Sequence, residues 1–350
     1  MMETLEEIEL CVPQLNSSCR KPVHSQTTVL LIYVLLSSIS FFTVALNLLV
    51  IVAISHFRQL HTPTNLLLLS LAVSDLLVGL LLMPVEIIYI EACWFLGDIV
   101  CTLYYIADYI ITSASVANMV LISIDRYVAI CDPLHYPTKV TKSTTQVCVS
   151  LCWIVSVFYR LLLLQDHVVN PGVSVSCIGE CVVVISNIAG IIDMVFTFIM
   201  PITVILCLYF RVFVVAVSQA RMMRSQISTA PGKHGSVTMW KNEMKAARTL
   251  GIVVVVFLIC FCPYFFPSLE GEDTSVNASS AEMVTSEFFS KFGIWLFYFN
   301  SCINPLIYAF FYPWFRKSVK CIITLKIFQL DSDLNAFTST FSCFKGHHLI

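Results

Sequence analysis

The apolar residues of this chain come in long unbroken runs rather than in alternation. Seven runs stand out, near 28–54, 64–90, 99–130, 143–164, 186–216, 247–269 and 286–310. A helix needs about 20 consecutive apolar residues to cross the hydrocarbon core of a bilayer, so each run is long enough to span. The connections between them are short and polar. The one from Ser218 to Asn242 holds Arg221, Arg224, Pro231, Gly232 and Lys233 and reads as a loop with helical extensions, too short to fold alone. From Phe311 to Phe328 apolar and basic residues interleave, as in an amphipathic helix lying on a membrane surface. The pattern predicts an all-α membrane protein with three parts. These are an N-terminal segment (1–27), a seven-transmembrane helix bundle (28–310), and a short amphipathic eighth helix with a tail (311–350).

Composition strengthens this reading. With 58% hydrophobic residues, 12% charged residues and a mean hydropathy of +0.85, the chain falls outside the range of soluble domains. The placement of charge then orients it. Sixteen of the 20 basic residues, all but Arg20, Lys21, Arg160 and Lys291, lie in or beside the connections after runs one, three and five or in the C-terminal tail. Basic residues mark the cytoplasmic side. The expectation is a multi-pass plasma-membrane protein with its N-terminus outside and its tail inside. The first 27 residues carry Glu3, Glu6, Glu7 and Glu9 and lack a short apolar core behind a basic start, which argues against a cleaved signal peptide. Two glycosylation sequons, at Asn16 and Asn277, fall on the side read as extracellular.

Six of the 15 cysteines, Cys11, Cys19, Cys93, Cys101, Cys177 and Cys181, fall in outer segments, where an oxidising compartment permits disulfides. Six thiols admit many pairings, and spacing alone does not choose among them. The outer ends also hold an excess of acids, among them Glu86, Glu91, Asp98, Glu180 and Glu272. Such a vestibule concentrates cations.

Three acids lie within the runs: Asp75, Asp108 and Asp193. A charge at bilayer depth costs roughly 3 kcal/mol on insertion scales, so each needs a partner or a function. Asp108 precedes Arg126 by 18 residues, five helical turns, which sets it in the outer half of the bundle. Asp193 precedes Pro201 by eight residues and lies at nearly the same depth on run five. Packed helices sit about 8–10 Å apart, so acids facing each other across a cavity leave room for a short diamine. Alternatively, two nearby carboxylates share a proton, which favours a monoamine.

Motifs then narrow the class. Asp125-Arg126-Tyr127 ends run three and Asn304-Pro305-Leu306-Ile307-Tyr308 lies in run seven. Asn47, Leu71-Ala72-Val73-Ser74-Asp75, Trp153, Pro201 and Cys260-Phe261-Cys262-Pro263 stand in order in the other runs. Together they resemble the rhodopsin-like G protein-coupled receptors over residues 28–320. Within that class three segments resemble the trace amine-associated receptors, used mainly in olfaction. They are Ser123 to Leu134, Phe311 to Lys317, and Ser176-Cys177-Ile178-Gly179-Glu180-Cys181. One departure is plain: Phe261 stands where the family usually has Trp.

The resemblance implies roles. Asp108 would pair with a ligand ammonium group, with Tyr109, Thr112, Tyr264, Phe265, Trp295 and Tyr298 lining the pocket and Asp193 and Thr197 facing it from run five. A second carboxylate there resembles members that recognise two amino groups. Asp75, Ser115, Asn300, Ser301 and Asn304 would form a cluster able to hold sodium and water. Asp125, Arg126, Tyr127, Leu134, Tyr209, Glu243, Asn304, Pro305 and Tyr308 would serve switching and coupling to a heterotrimeric G protein, of the stimulatory type by family expectation. Arrestin and a receptor kinase are further expected partners. Cys101 would bond Cys181, and Cys11, rather than Cys19, would bond Cys177, leaving Cys93 unassigned. No cofactor and no nucleic acid is expected.

Other classes fit less well. A retinal pigment would need a lysine deep in run seven, where Tyr298 stands. A serotonin-like receptor for monoamines remains the alternative, since Asp108 alone would serve any amine. The histidines, such as His56, His61, His135 and His347, lie in loops and tails, which leaves no metal cluster for a membrane enzyme. A transporter would usually show two related halves, and the chain has no such repeat.

Overall fold

The computed structural model describes residues 10–15, 17–19, 26–89, 93–227, 251–252, 254–263, 280–311 and 313–324. Among these, the ordered elements are helices. In chain order they are α1 (Gln26–His56), α2 (Pro63–Ile88), α3 (Asp98–Cys131), α4 (Lys142–Leu163), α5 (Asn187–Ser218), α6 (Val254–Pro263), α7 (Ser280–Phe311) and α8 (Pro313–Ile323). Helices α1 to α5 are each long and apolar enough to cross a membrane. The chain is an all-α membrane protein with the seven-helix bundle and eighth helix that its hydropathy foretold. Asn16, Asn277, Glu243, Tyr264 and Phe265 lie outside the described residues.

The bundle inverts the usual globular pattern. Leu31, Val34, Leu35, Phe41 and Phe42 on α1, and Ile154, Val155, Phe158 and Leu162 on α4, are exposed. Asn47, Ser74, Asp75, Asn118 and Asn304 are buried. Lipid solvates the first set at no cost, whereas the second must find partners inside the protein. α3 is the central helix, packed against α2, α4 and α5, while α7 packs against α1 and α2 and α8 against α1 and α7. Leu71, Val116, Met119, Phe257, Phe261, Phe297, Tyr298 and Tyr308 belong to one continuous core.

Three prolines shape the spans, each because its missing N–H orphans the carbonyl four residues earlier. Pro84 follows a π-helical turn over Val78–Leu82 in α2, and Pro201 follows one over Val195–Ile199 in α5. The wider turn spreads the ladder where the proline removes a bond. In α7 the remedy differs. Pro305 orphans the carbonyl of Ser301, and Asn47 of α1 donates its side-chain Nδ2 to that oxygen at 3.0 Å. Asn47 thereby ties α1 to the kink in α7. Trp153 does a similar service for α4, donating Nε1 to Ser70 Oγ of α2 at 3.1 Å.

Helix starts follow the expected cap chemistry. Thr62 accepts from Asn65 N at 3.2 Å ahead of Pro63, and Thr141 accepts from Thr144 N at 3.2 Å. α8 buries Phe315, Ser318 and Cys321 on one side and exposes Arg316 and Lys320 on the other, the division a helix at a membrane surface requires.

Three disulfides gather at one end of the bundle: Cys11–Cys93, Cys19–Cys177 and Cys101–Cys181. The bond from α3 to the loop before α5 is the one expected. The pairing of Cys11 with Cys177 is corrected: Cys177 bonds Cys19, and Cys11 bonds Cys93, which sequence reasoning left unassigned. Backbone pairing explains the choice. Ser18 and Ile178 form a parallel bridge, with Ile178 N donating to Ser17 O and Cys19 N to Ile178 O at 3.0 Å each, so Cys19 arrives beside Cys177. The N-terminal segment then doubles back, Cys11 N donating to Cys19 O at 2.9 Å, while Trp94 N reaches Gly179 O at 2.7 Å and brings Cys93 alongside. Gly179 sits at φ +101°, and a Cβ there would lie 2.9 Å from that of Cys11, so the residue at the crossing has to be glycine.

Candidate ligand-binding site

Asp108 lies on the inward face of α3, buried, with Tyr298 of α7 donating its hydroxyl to Oδ1 at 3.2 Å. The hydroxyl of Tyr298 lies 3.1 Å from that of Tyr104, which donates to Glu86 Oε1 at 2.5 Å. A hydroxyl chain therefore links the α3 carboxylate to an acid at the C-terminal end of α2. Around it stand rings: Trp295 meets Tyr298 edge-on at 6.1 Å, Tyr104 meets Tyr105 at 5.4 Å, and Tyr105 meets Tyr109 at 6.4 Å. An acid set among aromatic faces is the chemistry that holds an organic ammonium ion, by charge and by the ring quadrupoles. One turn deeper, Thr112 is buried and its Oγ1 has no hydrogen-bond partner among the described residues. Phe261, in place of the usual Trp, lies tilted against Phe257 at 4.0 Å and meets Phe297 edge-on at 4.5 Å.

Asp193 has a different environment. Arg160 of α4 donates Nη1 to its Oδ1 at 2.5 Å, Thr197 donates to the same oxygen at 2.8 Å and Tyr159 at 3.2 Å. Arg160 itself is 0% exposed. Its Nε donates to Ser113 Oγ at 2.8 Å and its Nη2 to Thr197 Oγ1 at 2.9 Å. The guanidinium carbon lies 4.9 Å from the ring centre of Tyr109 and 5.1 Å from that of Tyr159. Asp193, expected as a second carboxylate facing the pocket from α5, is thus paired with a resident guanidinium. Tyr109 and Thr197, expected to face the ligand, are both engaged with that guanidinium. Sequence reasoning counted Arg160 among flanking outer charges and missed Tyr104, Tyr159 and Ser113. The signal was present, since Arg160 follows Val157-Phe158-Tyr159 in an apolar run and an arginine at that depth calls for an acid.

Deeper in the bundle, Asn304 donates Nδ2 to Asp75 Oδ2 at 2.9 Å, and Ser115 donates to Ser74 Oγ at 3.0 Å. Asp75 Oδ1, Asn300 Oδ1 and Asn304 Oδ1 are buried without a hydrogen-bond partner among the described residues, and Ser301 is buried nearby. A group of oxygen acceptors left unsatisfied is a donor set that fits a hard cation or a water.

At the C-terminal end of α3, Asp125 accepts from Tyr136 at 2.8 Å, from Thr64 at 3.0 Å and from Arg126 Nη2 at 2.5 Å. Arg126 Nη2 also reaches Thr64 Oγ1 at 2.5 Å. Tyr308 is buried on α7, and Tyr127 and Tyr209 are half-buried. Leu134 is 88% exposed, an apolar knob on the loop after α3. The same loop is tied by Asp132, which accepts from Lys139 at 2.9 Å and His135 Nδ1 at 2.7 Å. Those two partners hold its carboxyl below the usual carboxylate range.

Comparison with known proteins agrees with this geometry. Residues 46–308 match the family described as 7 transmembrane receptor (rhodopsin family). The chain is 38% identical to trace amine-associated receptor 13c of Danio rerio over 341 residues, 94% of this chain and 96% of that one. It is 38% identical to trace amine-associated receptor 9 of Rattus norvegicus over 333 residues, covering 93% and 96% of the two chains. With trace amine-associated receptor 8a of Rattus norvegicus it shares 36% over 347 residues, 96% and 97% of the two chains. Spans, inner motif, intramembrane acids and full-length similarity all converge: the chain belongs to the rhodopsin family of seven-transmembrane receptors and, within it, to the trace amine-associated receptors.

Proposed function

We propose that this receptor detects small organic amines outside the cell through one ammonium group held at Asp108, and activates a heterotrimeric G protein of the stimulatory type inside. The observation that carries the reading is the Tyr298–Asp108 hydrogen bond at 3.2 Å among the rings of Tyr104 and Trp295. A cation arriving there meets a buried acid whose orientation the Tyr298 hydroxyl holds. The fold's three disulfides at one end support an extracellular N-terminus, as does the clustering of basic residues at the other. Olfaction is the use that the family resemblance supports, with Asn16 and Asn277 as glycan sites and arrestin and a receptor kinase as later partners.

Ligand contact at the outer half would shift the packing of Val116 and Phe257 and free Arg126, together with Tyr209 and Tyr308, for the G protein. The exposed Leu134 would join that interface. The Asp75 cluster would hold sodium in the resting state. This is a shift of population, so an agonist has to bind the open state better. The two-acid basis for a diamine requires Asp193 to be released from Arg160, which makes the monoamine reading the better supported one.

The experiment is a panel of alkyl- and arylalkylamines applied to cells that display the receptor, read with dissociation sensors for each G protein class. Micromolar responses to monoamines through the stimulatory sensor are expected. Silence across the panel, with the receptor present at the surface, contradicts the reading.

A further inference from the structure

A buried arginine on α4 has no place in the reading so far, and its contacts give it one. The guanidinium of Arg160 directs three N–H groups at Ser113, Asp193 and Thr197, and two aromatic rings cover its faces. Arginine does not shed its proton in a protein, so this charge cannot be relieved by deprotonation. A ligand ammonium that took Asp193 for itself would leave a fully buried cation with hydroxyls and rings alone, and breaking a buried pair in that way is strongly unfavourable.

We infer that Arg160 is the residue that sets how many ammonium groups the pocket reads. As the resident cation of Asp193, it confines the receptor to ligands carrying one ammonium, and its removal opens a second cation subsite on α5. The inference rests on Asp108 being the ammonium counter-ion. The local chain explains why the pair is so firmly set. Asp193 and Thr197 are one turn apart on α5, at the π-helical segment that precedes Pro201, so both point at the same guanidinium. Ser113 and Tyr109 come from α3 and Tyr159 from α4, so the charge sits at the junction of three helices. Replacing Arg160 by an apolar residue of similar length removes the cation beside a carboxylate that keeps Thr197 and Tyr159 as hydrogen-bond donors.

The test compares pentylamine with 1,5-diaminopentane on the full-length receptor in cells, with surface display measured for every variant. The quantity read is the ratio of the two potencies. In the wild type the monoamine is expected to be the stronger. Arg160→Met is expected to shift the ratio toward the diamine by about tenfold or more, the size of one added charge-assisted contact. Adding Asp193→Asn to Arg160→Met should remove that gain, and Arg160→Lys should not produce it. Asp193→Asn alone should leave the ratio within about threefold of the wild type, as expected for an acid that the ligand does not touch.

Two results would overturn the inference: a surface-displayed Arg160→Met receptor with an unshifted ratio, or a selective loss of the diamine in Asp193→Asn. The second decides the matter even where Arg160→Met fails to reach the surface. Asp108→Asn separates this inference from the reading beneath it. If both amines keep their potency in that variant, the ammonium site at Asp108 is wrong. If both are lost while the Arg160→Met ratio does not move, only the role of Arg160 is wrong.

Discussion

Arg160 of α4 and Asp193 of α5 form an ion pair at 2.5 Å, with side-chain exposures of 1% and 11%. A pair so placed is a structural unit whose halves are costly alone and cheap to replace together. Arg160→Ala is expected to destabilise the receptor by about 3–5 kcal/mol, because it strands a buried carboxylate. Arg160→Met combined with Asp193→Leu should recover most of that loss. The midpoint of thermal unfolding of the purified receptor measures both, and equal damage from the single and double variants would contradict the account.

The outer disulfides make a second prediction. Digestion without reduction, followed by mass spectrometry, should recover Cys11 linked to Cys93, Cys19 to Cys177 and Cys101 to Cys181. Cys11→Ser and Cys93→Ser should lower stability by similar amounts, about 2–5 kcal/mol, and the double variant should be no worse than either single one. A peptide joining Cys11 to Cys177 would contradict the described topology.

A third prediction concerns the acceptor cluster around Asp75. If sodium occupies it in the resting state, raising sodium at constant ionic strength should weaken agonist binding several-fold. Asp75→Asn should abolish that dependence, since the charge that completes the oxygen set is gone. Sodium and potassium salts having equal effects on the wild type would count against the site.

How much of this could be read from the residues follows from which interactions are local. The spans depend on runs of apolar residues, so hydropathy anticipates them. The depth of Asp108 follows from counting turns back from Arg126. What the chain does not reveal by itself is pairing between distant segments. Cys19 finds Cys177 through a bridge of residues 160 apart, and Asp193 finds Arg160 because α4 and α5 both pack against α3. The cost of a charge at bilayer depth applies to Arg160 as it does to the acids, so the arginine calls for an acid partner, which Asp193 supplies.

The central claim is that Asp108 supplies the counter-charge for the ligand's ammonium group. Its most direct test is equilibrium binding of the most potent monoamine from the panel to purified wild-type, Asp108→Asn and Tyr298→Phe receptors. The account predicts a loss of affinity of about 100-fold or more for Asp108→Asn, as for truncating one partner of a buried charge pair. Tyr298→Phe, which keeps the charge and loses one hydrogen bond, should cost about tenfold. Unchanged affinity in a folded Asp108→Asn receptor would contradict it.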